Sequence, residues 1–198
     1  VAKEGEQGDF ARAMEGFRRE ASLLSRFSET EGIVCCRDYL EEKRTAYLVM
    51  EYVEGENLKR ILARREKPFS QQEALELMRP VLLAVEGMHR KNVLHRDISP
   101  ENLILKPDGT LTLIDFGAAR EYELGVAENR TVIIKRGYAP KEQYDSAGRQ
   151  GPWTDLYACC AVLYQMVSGI LPQDAASRSR KDELEPLETM EGIQVSKS

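Results

Sequence analysis

Three oxygen-bearing side chains fall close together in the middle of the chain. Asp97 and Asn102 share the stretch "LHRDISPENLIL" (94–105), and Asp115 opens the triplet "DFG" a short way downstream. Leu94 on one side and Leu103, Ile104 and Leu105 on the other are apolar. The stretch therefore reads as a polar loop clamped between core segments, which is where a scaffold holds chemistry. Two carboxylates and a carboxamide are oxygen ligands for a hard cation, and magnesium takes few carboxylates alongside phosphate oxygens. An aspartate left free of the metal can orient a hydroxyl and accept its proton. The alternative is that the three residues are structural. Gly117, after Phe116, supplies a flexible joint.

The flanking segments must bring these groups together. "KPDG" reads as a hairpin turn joining Leu103–Leu105 to Leu111–Ile114, so the second strand delivers Asp115 to the loop. Upstream, Phe10, Met14, Phe17, Ala21, Leu24 and Phe27 recur at helical spacing, with Asp9 as N-cap. Glu20 lies at the edge of that stripe. Residues 33–40 and 45–53 read as an antiparallel hairpin around the charged turn "EEKR". Ser70 and Glu73 form a capping box for a helix carrying Ala74, Leu77, Met78, Val81, Leu82, Val85 and Met88, with Pro80 inside it. Residues 118–152 are expected to be irregular, a length that is uncommon without a function. Residues 153–170 read as a fully buried helix, and the polar tail after Leu171 as poorly patterned.

Composition sets bounds. The 198 residues allow one domain with a real core, or two small lobes. With 42% hydrophobic and 31% charged residues, the composition is that of an ordinary soluble globular protein. A net charge of -5 disfavours nucleic acid as partner, and the runs "KRILARREK" and "RSRK" read as solvated surface. The adjacent pairs Cys35-Cys36 and Cys159-Cys160 lack metal-ligand spacing and read as small buried hydrophobes in a reducing compartment. No signal peptide is visible, and the longest apolar run is too short to span a bilayer. His95 reads as a packed loop residue, and His89 as a helix-end residue beside the negative end of the dipole.

"HRDISPEN" resembles the catalytic loop of eukaryotic-type serine/threonine protein kinases, and "DFG" their metal-binding triplet. "YAPKE" (138–142) is similar to the end of their activation segment, "TDLYA" (154–158) to the start of the buried helix that follows, and "LVMEYVEG" (48–55) to the hinge between lobes. The five motifs stand in kinase order, in a form close to the bacterial members. The resemblance implies an α+β, protein-kinase-like two-lobe fold. Residues 1–53 would be a remnant of the small lobe and hinge, an αC helix plus a strand hairpin. Residues 54–198 would be a mostly helical large lobe lacking its last helices. It implies transfer of the ATP γ-phosphoryl to a protein serine or threonine, with Mg2+ or alternatively Mn2+. A cytoplasmic location follows, with a membrane anchor elsewhere left open.

The resemblance also assigns roles. Asp97 is the catalytic base, and Asn102 and Asp115 hold the metal ions. Arg96 contacts the activation segment, and Glu20 pairs with the phosphate-binding lysine unless it is a plain surface charge. The backbone of Glu51 and Val53 binds adenine, with Met50 behind it and Ile104 below. Phe116 and Gly117 complete the triplet. Glu142 anchors the activation segment, and Asp155 braces the catalytic loop through its backbone amides.

Departures from the family pattern shape further expectations. No glycine-rich loop precedes Glu20, and Lys3 in "VAK" is set aside as the phosphate-binding lysine, because "KEGEQGD" reads as a polar linker. No arginine stands in a suitable C-terminal helix to pair with Glu142. The expectation is a piece of a kinase domain cut at both ends, with little activity alone. Ser99 occupies the position where serine/threonine kinases usually carry a lysine, and Lys135 stands where a threonine usually meets that lysine. Lys135 is therefore expected to supply the missing cation from the opposite side. Thr131 is either an autophosphorylation site facing Arg96 or an ordinary loop threonine. Two other readings stay open: a pseudokinase or interaction module, and a small-molecule phosphotransferase.

Overall fold

The computed structural model describes residues 4–42, 45–122, 134–145 and 147–196. Lys3 and Thr131 lie outside the described residues, as does most of the segment that leads to Lys135. Helix α1 (Glu4–Ser25) begins earlier than the expected cap at Asp9. Glu4, Glu6 and Gln7 are good helix formers and carry the helix through Gly5 and Gly8, so the supposed linker is helical. Its apolar face buries Ala21, Leu23 and Leu24, and Phe27 follows just past the end.

Strands β1 (Cys36–Glu42) and β2 (Thr45–Met50) pair antiparallel, as the alternation predicts. β1 starts later than expected because Ile33 and Val34 are diverted to a different partner. Ile33 bridges Leu113, and Val34 N–H donates to Leu113 O at 3.0 Å. The segment after α1 is thereby tied to the strand that leads into Asp115.

The next elements form the base. Strand β3 (Glu56–Asn57) precedes α2 (Leu58–Arg64), which Asn57 caps through its side chain. Gly55, before β3, has φ +148, and a Cβ there would stand 2.2 Å from Leu105 O. Only glycine allows that approach. Helix α3 (Gln71–Arg90) opens on the Ser70–Glu73 capping box and buries Ala74, Met78, Val81, Ala84, Val85 and Met88. Strand β4 (Val93–Leu94) leads into the polar loop, and a 3-10 turn (Pro100–Asn102) leads out of it into β5 (Leu103–Leu105). β5 lies between β3 and β6 (Leu111–Leu113), and β4 pairs with β7 (Arg120–Glu121). Helix α4 (Pro152–Ser168) and the short α5 (Ala175–Arg178) complete the described helices.

Two apolar clusters flank the polar loop. One joins α2, α3 and α4 to β5 and β6 around Met78, Leu103, Leu113 and Met166. The other joins α1 to the loop side through Leu24, Phe27, Met88, Val93 and Phe116. Two expectations need correction. α4 is not fully buried, because Trp153, Leu156 and Cys160 are exposed on its outer side. The cysteines are all free, but only Cys159 is buried, while Cys35 and Cys36 are half-buried near the margin of the second cluster.

Candidate active site

Asp155 is the fixed point of the site. It sits in the first turn of α4 with no solvent exposure. Its Oδ2 accepts from His95 N–H at 2.9 Å and its Oδ1 from Arg96 N–H at 2.8 Å. His89 Nε2, at the end of α3, also lies 2.8 Å from Oδ2. A buried carboxylate with three such partners is satisfied and holds the loop backbone in place. Arg96 has φ +70, an uncommon conformation for a non-glycine residue. Its N–H is held by Asp155, and its C=O accepts from Gln143 Nε2 at 2.7 Å, so the surroundings fix the strain on both sides. Its guanidinium also reaches Ala118 O at 3.5 Å.

His95 is wholly buried and packs edge-on to Phe116, ring centroids 4.8 Å apart. Burial pushes its pKa down to about 4, so the ring is neutral at pH 7. Its Nδ1 accepts from Asp97 N–H at 3.3 Å. His95 is thus a packed, neutral, hydrogen-bonded loop residue, as its position predicts.

The Asp97 carboxylate is set asymmetrically. Asn102 Nδ2 donates to Asp97 Oδ2 and to Asp97 O, both at 2.8 Å, and Lys135 Nζ stands 3.7 Å from the same Oδ2. Oδ1 has no partner among the described residues. Burial raises the Asp97 pKa, with Lys135 and Asn102 working against that and Asp115 and Glu101 adding to it. Asn102 thus spends its amide nitrogen on Asp97.

Asp115 follows β6 at φ +65 and is exposed. Ile114 N–H donates to Asn102 O at 2.9 Å, which ties the two metal-ligand candidates together through adjacent backbone. Asp115 Oδ1 accepts from Gly117 N–H at 3.1 Å. Its charge is felt at Asp97 and Lys135 on one side and at Glu20 on the other. Glu20 approaches the triplet from α1: a Cβ on Gly117 would stand 3.9 Å from Glu20 Oε2. Burial raises the Glu20 pKa, the Asp115 charge adds to it, and Arg120 and the Phe116 backbone oppose it. Glu20 is therefore a half-buried part of the cleft and not a plain surface charge.

Lys135 is held by Glu101, whose Oε2 lies 2.8 Å from its Nζ, while Lys59 takes Oε1 of the same carboxylate. The two lysines hold Glu101 down at about 2. Burial works against the Lys135 charge, but Glu101 and Asp97 outweigh it and its pKa is raised. Thr154 Oγ1 donates to Glu142 Oε1 at 2.9 Å, so Glu142 anchors on the start of α4. At the hinge, Glu51 N–H donates to Cys35 O at 2.9 Å, whereas Glu51 C=O and both backbone groups of Val53 have no hydrogen bond among the described residues. Met50 is exposed at the end of β2, and Ile104 is half-buried beside Gly55.

The residues suit a nucleotide and a divalent ion. No cluster of three or more histidine, cysteine or acidic side chains able to hold a metal occurs among the described residues. The side-chain oxygens of Asn102 and Asp115 are of the type that a hard ion shared with phosphates would take. Sequence reasoning missed three parts of this site: His89 as a partner of Asp155, Gln143 as the brace of Arg96, and Glu101 bridging Lys59 and Lys135. The first is a histidine at a helix end, whose partner only the fold supplies. The third had half a signal in Glu101, two residues from Ser99, but its lysine partners stand far away in sequence.

This geometry belongs to a known class. The family model described as protein kinase domain matches residues 1–197, and the chain belongs to that family. It is similar to the serine/threonine-protein kinase PknL of Mycobacterium tuberculosis, 31% identical over 157 residues, 79% of this chain and 39% of PknL. It is also similar to PrkC of Bacillus subtilis, 33% identical over 162 residues, 81% of this chain and 24% of PrkC. PknA of Nostoc is 33% identical over 179 residues, 86% of this chain and 31% of PknA. The chain thus spans between 24% and 39% of the length of these curated relatives. A solved structure described as the PpkA-294 apo form superposes with a TM-score of 0.77 at 30% identity, covering 94% of this chain and 65% of that chain. The α+β, partial two-lobe kinase-like architecture expected from the motifs is the one observed.

Proposed function

We propose that this chain is the catalytic core of a protein serine/threonine kinase that transfers the γ-phosphoryl of ATP to a protein hydroxyl. The observation that carries the reading is the Asp97 carboxylate: one oxygen fixed by Asn102 and Lys135, the other without a partner, beside Asn102 and Asp115. Asp97 Oδ1 orients the substrate hydroxyl and takes its proton as the new oxygen–phosphorus bond forms and ADP leaves. Asn102 Oδ1 and the Asp115 carboxylate hold Mg2+, for which Mn2+ can substitute. When bound, the metal neutralises charge on the phosphates. Lys135 presents the cation that Ser99 does not, at the place where charge develops. The free hinge groups of Glu51 and Val53 receive the adenine edge, between Met50 and Ile104. Glu20 and Phe116 set the position of Asp115, while Arg96, Gly117, Glu142 and Asp155 fix the loops. Thr131 remains the candidate modification site in the segment. No helix among the described residues is long and apolar enough to cross a membrane, and in this reading the ATP-using site faces the cytoplasm.

The test is transfer from γ-labelled ATP by the full-length protein, with a serine peptide and an aminoglycoside as competing acceptors. Label is expected in the peptide alone, is lost on chelating divalent ions, and falls by about 10²-fold or more in Asp115→Asn. Label in the aminoglycoside, or metal-independent transfer, contradicts the proposal.

A further inference from the structure

A cavity of ≈ 370 Å³ opens next to the Asp97 carboxylate, with Lys59, Ser99, Glu101, Ile134, Lys135 and Arg136 on its walls. Its charge balance is unusual. Three cationic side chains meet one carboxylate, and that carboxylate is already used: Glu101 gives one oxygen to Lys59 and the other to Lys135. Arg136 makes no hydrogen bond and no ion pair among the described residues. The Asp174 carboxylate feels its field without pairing with it. Ser99 is wholly buried, and its Oγ has no hydrogen-bond partner among the described residues. Among the described residues that line it, the cavity therefore presents three cations and no carboxylate left unused to answer a basic guest. Ile134 adds apolar contact for an aliphatic stem.

Lys135 both lines this cavity and stands 3.7 Å from Asp97 Oδ2, so an occupant sits close to the acceptor hydroxyl. An extended peptide advances about 3.3 Å per residue, which places that occupant within a few residues of the acceptor. We infer that the cavity selects protein substrates with an anionic side chain, a carboxylate or a phosphate ester, one to three residues from the phosphorylated hydroxyl, and rejects arginine there. The inference rests on the kinase reading of the same site and adds its substrate class. Like charges brought together across an interface penalise the wrong partner, and specificity is that difference.

The experiment measures kcat/KM of the full-length protein on four peptides with one serine flanked by glutamate, phosphoserine, glutamine or arginine. Either anionic peptide is expected to exceed the arginine peptide by about tenfold or more, and whichever anionic peptide leads identifies carboxylate or phosphate as the preferred group. Arg136→Glu should erase or reverse that ratio, and Arg136→Gln shrink it, while turnover of the glutamine peptide stays within about twofold. Equal use of all four peptides, preference for arginine, or a ratio untouched by both variants overturns the inference and leaves the kinase reading standing. Transfer to none of the four contradicts the kinase reading and the inference together.

Discussion

Ser99 occupies a position that a lysine usually fills in the resembling kinases, and Lys135 one where a threonine usually meets that lysine. Ser99 Oγ is buried and without a partner among the described residues, and the Lys135 ammonium is held by Glu101 within 3.7 Å of Asp97. If Lys135 supplies the cation, Lys135→Ala lowers kcat by about 10²-fold and leaves the ATP KM within about threefold. Adding Ser99→Lys to that variant returns a cation from the other wall and recovers part of the loss. Steady-state kinetics on the full-length protein check both statements, and unchanged turnover in Lys135→Ala removes Lys135 from the mechanism. His95 gives a second prediction at this scale. Its folded pKa of about 4 lies below the ordinary 6.5, so the unfolded chain binds a proton that the native state refuses. The stability from keeping this ring neutral is complete above about pH 6.5 and is lost as pH falls towards 4, by at most about 3 kcal/mol. Urea unfolding at pH 7 and pH 5 should show a larger acid loss for the native protein than for His95→Phe. Equal losses contradict this account.

At the level of elements, α4 and the catalytic loop are one unit because Asp155 accepts from two loop amides and lies against His89 of α3. Asp155→Ala leaves those buried donors without an acceptor and should cost about 3 kcal/mol or more. That corresponds to roughly 6–12 °C in Tm for a chain of this size, measurable by calorimetry, and a shift under about 2 °C would remove Asp155 from its bracing role. The elements also show what sequence can and cannot carry. The Ser70–Glu73 capping box and the "KPDG" turn were legible because cap and turn chemistry is local. The late start of β1 was not, because Ile33 and Val34 answer to Leu113, far along the chain. The site residues were legible through motif order. Their geometry was not: nothing local tells that Asn102 spends its amide on Asp97 or that Gln143 holds Arg96 in a positive-φ conformation. The exposed outer side of α4 escaped the reading for a related reason, since an apolar run has no periodicity to mark which side meets solvent.

Across the whole molecule, the polar loop lies between two apolar clusters, and Phe116 belongs to the one that also holds α1. Leu24, one turn beyond Glu20 and wholly buried, packs in that cluster. Leu24→Ala should therefore destabilise the protein by about 2–5 kcal/mol. It should also weaken Mg2+–ATP binding at temperatures where the protein stays folded, because the cluster sets both Glu20 and the turn that carries Asp115. Chemical denaturation and calorimetric titration separate the two effects, and normal nucleotide binding in a destabilised but folded variant would uncouple α1 from the metal-binding turn. The central claim concerns Asp97, and one paired measurement reaches it most directly. The full-length protein and its Asp97→Asn variant are compared for γ-phosphoryl transfer to a serine peptide, with ATP affinity measured alongside. Transfer is predicted to fall by about 10³-fold while affinity changes by less than about threefold. Wild-type transfer by Asp97→Asn would contradict the account.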